Sequence, residues 1–82
     1  MYLSVISVKP LPEYKLHLIF ENNEERILDM KTFLDKGIFS FLRDEKMFDT
    51  VKVSFDSIEW DNGADLDPEF IYESSYALHP VC

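Results

Sequence analysis

The chain has 82 residues, 46% of them hydrophobic and 15% aromatic, with a net charge of −8. That length makes one domain with a thin core, and seven Phe, four Tyr and one Trp supply enough apolar bulk to exclude disorder despite the charge. The charge is lopsided: six acids and five bases in residues 1–42 give −1, and ten acids and three bases in residues 43–82 give −7. This excludes the Lys/Arg surface that binds nucleic-acid phosphates or an anionic membrane.

Cys82 is the only cysteine and cannot form an internal disulfide, which predicts a reducing, cytoplasmic setting. No apolar run approaches the roughly eighteen residues of a membrane span, and no basic region leads into an apolar one, so neither a span nor a signal peptide is read.

Val5, Ile6 and Val8 predict a strand over residues 3–9, ended by Pro10. Leu11-Pro12-Glu13 is a connector, because two nearby prolines block regular pairing. Residues 14–21 alternate: Tyr14, Leu16, Leu18 and Phe20 on one face, Lys15, His17, Ile19 and Glu21 on the other, the pattern of a half-buried strand. Asn22-Asn23 then offers a two-residue hairpin turn into a return strand over 24–28. Asp29 predicts a helix N-cap, with Met30, Phe33 and Leu34 on one helical face and Gly37 as the stop. Ile38, Phe39, Phe41 and Leu42 are too apolar for a free loop and are expected against the sheet, and residues 44–48 predict another helical turn.

Val51, Val53 and Phe55 alternate with Lys52 and Ser54, predicting a strand over 50–55. Asp56-Ser57 turns the chain into a partner strand at Ile58-Glu59-Trp60. Asn62-Gly63 ends that strand, and Asp67-Pro68-Glu69 starts a helix with a cap, a proline at the first position and an acid in the first turn. The reading divides the chain into a domain over 1–72 and a loosely held tail over 73–82. Strands, a helix and further strands define an α+β domain: a mainly antiparallel sheet of a hairpin and a later strand pair, with one or two short helices.

The hairpin Leu16-His17-Leu18-Ile19-Phe20-Glu21-Asn22-Asn23-Glu24, Asp29 before Phe33, Leu34 and Gly37, and the Phe39, Leu42, Phe48 spacing form one pattern with Ile58, Trp60, Asn62, Gly63, Ala64, Asp65, Leu66, Pro68 and Glu69. It resembles a bacterial domain-of-unknown-function family, number 2442. The likeness spans residues 3–72, and the Trp60–Glu69 segment is its most specific part. The chain departs at Asn23, where the family more often carries Gly, and Asn takes the same left-handed turn. The resemblance implies a small α+β fold, no established enzymatic activity and no catalytic residue to transfer. It further implies the antitoxin side of a two-gene toxin–antitoxin module.

After Lys52 there is no Lys or Arg, while Asp56, Glu59, Asp61, Asp65, Asp67, Glu69 and Glu73 supply seven carboxylates. A Ca²⁺ loop does not fit, because Gly63 is third from Asp61 where an EF-hand needs it sixth. The structural reading has Asn62-Gly63 as a turn, Asp65 accepting backbone N–H groups in it, and Asp67 capping the helix after Pro68. Trp60 reads as core, and beside a polar turn it also fits an interface anchor. His17 and His79 are remote from each other in sequence with no nucleophile or orienting acid assigned to either, and Cys82 lacks a cationic neighbour.

The sequence thus predicts a non-catalytic protein-interaction module without cofactor or metal. Its expected partner is a small basic, co-encoded protein, met by Asp56, Glu59, Trp60, Asp61, Asp65, Glu69 and Glu73, with Asn62, Gly63, Asp67 and Pro68 as turn and cap. The alternative is a small-molecule or ion-binding regulatory domain using the concave sheet surface or the acidic loop. Direct nucleic-acid and membrane contact are not expected, and a symmetric homodimer is the default for a small sheet with an exposed edge.

Overall fold

Four strands form the larger of two sheets in the computed structural model of the protein, which describes residues 3–35 and 37–78. β1 (Val5–Leu11), β2 (Lys15–Phe20) and β3 (Glu25–Asp29) are antiparallel neighbours, and a late strand, β7 (Tyr76–Ala77), completes the order β1-β2-β3-β7. The predicted alternation is realised: Leu16, Leu18 and Phe20 are fully buried, beside Val5 and Leu28. Arg26 and Leu28 share that face, since they pair with Leu18 and Leu16. Lys15, His17 and Ile19 take the opposite face. Pro10 lies inside β1 rather than after it, which costs no ladder bond because β1 is an edge strand.

The connections differ from those predicted. Glu13 and Tyr14 both adopt left-handed backbone (φ 63° and 60°) between β1 and β2. Tyr14 is held there by a hydroxyl bond to the Arg43 carbonyl and by its ring, edge-on to Phe48 with centroids 5.3 Å apart. The second hairpin turns through three residues, not two: Asn23 N–H donates to the Phe20 carbonyl at 2.8 Å, and Phe20 N–H donates to the Glu24 carbonyl at 3.0 Å. Asn23 takes the left-handed position, φ 67°.

The predicted helix over 29–37 is only a 3₁₀ turn, Lys31–Phe33. Met30 N–H donates to the Tyr14 carbonyl at 2.9 Å, continuing the β2–β3 pairing by one bond before the turn. Asp29 nevertheless accepts from Lys31 N–H at 3.0 Å, and Met30 and Leu34 are buried as the spacing required. A second 3₁₀ stretch, Gly37–Arg43, corrects the expectation that this apolar run lies wholly against the sheet. Three residues per turn place Phe39 and Leu42 inward and leave Phe41 65% exposed. α1 (Glu45–Phe48) is capped by Asp44, which accepts from Lys46 N–H at 3.0 Å.

The smaller sheet is β4 (Lys52–Ser54), β5 (Ser57–Glu59) and β6 (Asp65–Leu66), antiparallel and in that order. α2 (Pro68–Ser74) follows and leads into β7. Residues 73–78 are therefore part of the domain, not a loose tail. Arg26 is the reason. Its guanidinium donates to the Ser75 hydroxyl and carbonyl, both at 2.7 Å, pairs with Glu24, and lies 4.2 Å over the Tyr72 ring. Tyr72 in turn donates to Glu24 at 2.9 Å. The part of the predicted tail from His79 to Cys82 lies outside the described residues.

Candidate partner-binding surface

The corner from Trp60 to Glu69 is closed by its own hydrogen bonds. Trp60 N–H donates to the Ala64 carbonyl at 2.9 Å and Gly63 N–H to the Trp60 carbonyl at 3.0 Å. Gly63 sits at φ 90°, a value that favours glycine. The Asn62 side-chain oxygen accepts from Ala64 N–H at 3.1 Å, so Asn62 does the work expected of Asp65. Asp65 instead belongs to β6 and stands opposite Glu59. Asp67 caps α2 as predicted, accepting from Glu69 N–H at 2.8 Å behind Pro68.

Trp60 is 1% exposed, which corrects its candidacy as a contact residue. Its indole N–H donates to the Phe48 carbonyl at 3.1 Å, and its ring faces Phe39 and Phe48. It closes the core between the two sheets and α1.

The other sequence-predicted residues are brought partly together. Phe55, Asp56, Glu59, Asp65 and Pro68 line one side of the smaller sheet, with Ser54 and Ser57, around a hollow of about 280 Å³. The Ser57 hydroxyl donates to the Leu66 carbonyl at its floor. Glu59 and Asp65 are directly opposed carboxylates, an arrangement that disfavours the sheet unless something compensates. Lys52 does so in part: it pairs with Glu59 across β4–β5, and its Nζ lies 3.7 Å from Asp61. The acidic segment is thus not wholly uncompensated. Glu69 and Glu73 stand four residues apart on α2, both exposed, on one face of that helix.

The residue missed from sequence is Phe55. It was expected as the third member of a core-facing alternation. The structure shows burial draining away along that series: Val51 is 9% exposed, Val53 37% and Phe55 99%. Ser54 pairs with Ser57, so Phe55 and Asp56 form the tip of the β4–β5 hairpin, one residue earlier than the predicted Asp56-Ser57 turn. Phe55 adopts φ 55°, the left-handed region that bulky side chains avoid. A signal was present: pairing Val53 with Ile58, so that both apolar alternations face the core, forces the tip onto residues 55–56.

His17 does find an acid. Its Nε2 is 2.9 Å from Glu25 on the outer face of the larger sheet, and neither this hollow nor the one at Pro10–Tyr14 and α1 includes it. Among the described residues no three His, Cys, Asp or Glu side chains come together as metal ligands. No helix among them is long and apolar enough to cross a membrane. Glu24 has its carboxyl held below the ordinary range, chiefly by the Arg26 hydrogen bond. Tyr72 is pushed up, chiefly by the bond its hydroxyl gives Glu24.

Two antiparallel sheets joined by short helices, with a self-satisfied acidic corner and a projecting hairpin, define a small α+β domain. The family model described as "Protein of unknown function (DUF2442)" matches residues 5–77, from the first strand through the last, and the chain belongs to that family. No curated protein and no solved structure matches the chain.

Proposed function

We propose that the domain is a non-catalytic protein-interaction module that holds a small basic, co-encoded protein, as the antitoxin member of a toxin–antitoxin pair does, in the cytoplasm. The observation that carries this reading is Phe55, 99% exposed at a hairpin tip and held in left-handed backbone. Strain of this kind persists at sites of function, where the surrounding structure over-determines it. An aromatic anchor flanked by Asp56, Glu59 and Asp65 matches a partner with an apolar pocket rimmed by Lys and Arg. Glu69 and Glu73 extend the negative potential that steers such a partner.

Titration of the chain with the product of its neighbouring gene, repeated over a salt series, tests the proposal. Binding should weaken as salt rises, because a Debye length of about 10 Å at 0.1 M screens surface charge. Asp65→Lys with Glu73→Lys should slow association, and Phe55→Asn should speed dissociation. Association insensitive to salt and to all three substitutions would end this reading.

The hollow of about 280 Å³ beside the smaller sheet and another of about 340 Å³ at Pro10–Tyr14 and α1 favour a small ligand. The first lies just under the roughly 300–1,000 Å³ of small-molecule sites, and three carboxylates share its lining with four apolar side chains. The interaction reading stands first on the exposure of Phe55.

A further inference from the structure

The outer face of the larger sheet carries a second apolar cluster, buried at its centre and exposed at its rim. Ile27 is 6% exposed, yet it lies outside the main core, because its partner His17 faces away from Leu16 and Leu18. Around it stand Ile19, Tyr76 and Leu78. Tyr76 is 53% and Leu78 39% exposed, and none of these three packs against the main core either. Tyr76 and Leu78, exposed side by side at the edge of this cluster on a chain of charge −8, invite an occupant.

The charges of the same face say which occupant fits. Lys9 and Lys15 stand on β1 and β2, Glu25 and Asp29 on β3, so two cations face two carboxylates and the surface is neutral. A partner of strong charge of either sign finds no complement here. A second copy does. A two-fold axis running along the strands between β2 and β3 sets β2 of one copy over β3 of the other. Lys15 and Asp29, cross-strand neighbours within a copy, then also face each other between copies, once in each direction. His17 of each copy lies over the Ile27 position of the other, and Tyr76, half exposed in the single copy, meets Lys9. Such stacking is the aligned packing of two sheets, offset by about 30° by their twist.

We infer that the chain forms a symmetric homodimer by stacking the outer faces of its larger sheets, leaving the Phe55 hairpin of each copy free. This inference does not rest on the partner proposed above. Analytical ultracentrifugation of the whole chain from ~1 to ~300 µM, the range in which a micromolar dimer assembles, tests it. The wild type should be dimeric at the upper end, and Phe55→Asn should match it. Lys15→Asp sets acid against acid across the two-fold and Asp29→Lys sets base against base. Each should weaken self-association by at least roughly tenfold, because opposed like charges disfavour an interface strongly. Mixing the two variants restores both pairs, so an equimolar mixture should form a heterodimer. Thermal unfolding of each variant confirms that it is folded before it is scored. A wild type that stays monomeric at ~300 µM overturns the inference. So does a dimer untouched by either substitution, one dissociated by Phe55→Asn, or a mixture of the two variants that remains monomeric.

Discussion

The corner at residues 60–69 and the hairpin tip at residues 54–57 lie side by side in the acidic half of the chain, and they are built on opposite principles. In the corner every distinctive residue is used by the fold: Trp60 is buried, Gly63 takes a left-handed backbone, Asn62 and Asp67 accept backbone N–H groups. At the tip, Phe55 is bare and sits in backbone that a small residue would adopt more easily. The difference teaches that motif density marks what the fold needs. A position the fold would fill more cheaply with another residue is the better guide to an outside contact.

Substitutions can break or sharpen this contrast. Trp60→Ala should have the largest effect, lowering stability by about 3–5 kcal/mol in urea denaturation, the cost of a large cavity. The lost indole hydrogen bond to Phe48 adds to it. Arg26→Met should follow, at roughly 2–3 kcal/mol, because charge-assisted bonds to Ser75 and Glu24 go together. Amide exchange should then quicken in residues 76–78, which Arg26 anchors through Ser75. Asp67→Ala should cost about 0.5–2 kcal/mol through the lost cap, and an unchanged unfolding midpoint would remove the corner from this account.

The pH dependence is a smaller effect centred on the same anchor. Glu24 is held below its unfolded value, foremost by Arg26, so its contribution is complete above the ordinary carboxylate range and is lost as pH falls through the folded value. Tyr72 is raised, foremost by Glu24, so its contribution is complete below the ordinary phenol value and is lost as pH climbs through the raised one. Glu24→Gln should flatten both limbs of a stability–pH curve.

Much of the fold was legible because period-two alternation is a direct consequence of pleating. The faces of β2 follow from it, and Asp44 and Asp67 each sit one residue before a helical turn. What escaped the reading was decided at long range. The helix predicted after Asp29 is only a 3₁₀ turn, and the contact just before it, Met30 N–H to the Tyr14 carbonyl sixteen residues earlier, leaves no local pattern. The last strand was invisible because two residues, Tyr76 and Ala77, carry no periodicity, and Arg26 holds them from 49 residues away in sequence, through Ser75. Of the candidate surface, Asp56, Glu59 and Asp65 line one hollow, whereas Phe55 was hidden by an alternation that reads as core.

The central claim is that the fold does not need Phe55 and that its exposure serves a partner. Equilibrium urea unfolding of Phe55→Asn beside the wild type tests it most directly. Asn tolerates the left-handed region, and relief of a strained non-glycine residue is worth up to roughly 1 kcal/mol, so the variant should unfold at an equal or higher urea concentration. A midpoint lower by the equivalent of about 1 kcal/mol or more, the size of effect seen when packing is removed, would show that Phe55 belongs to the fold and would contradict the claim.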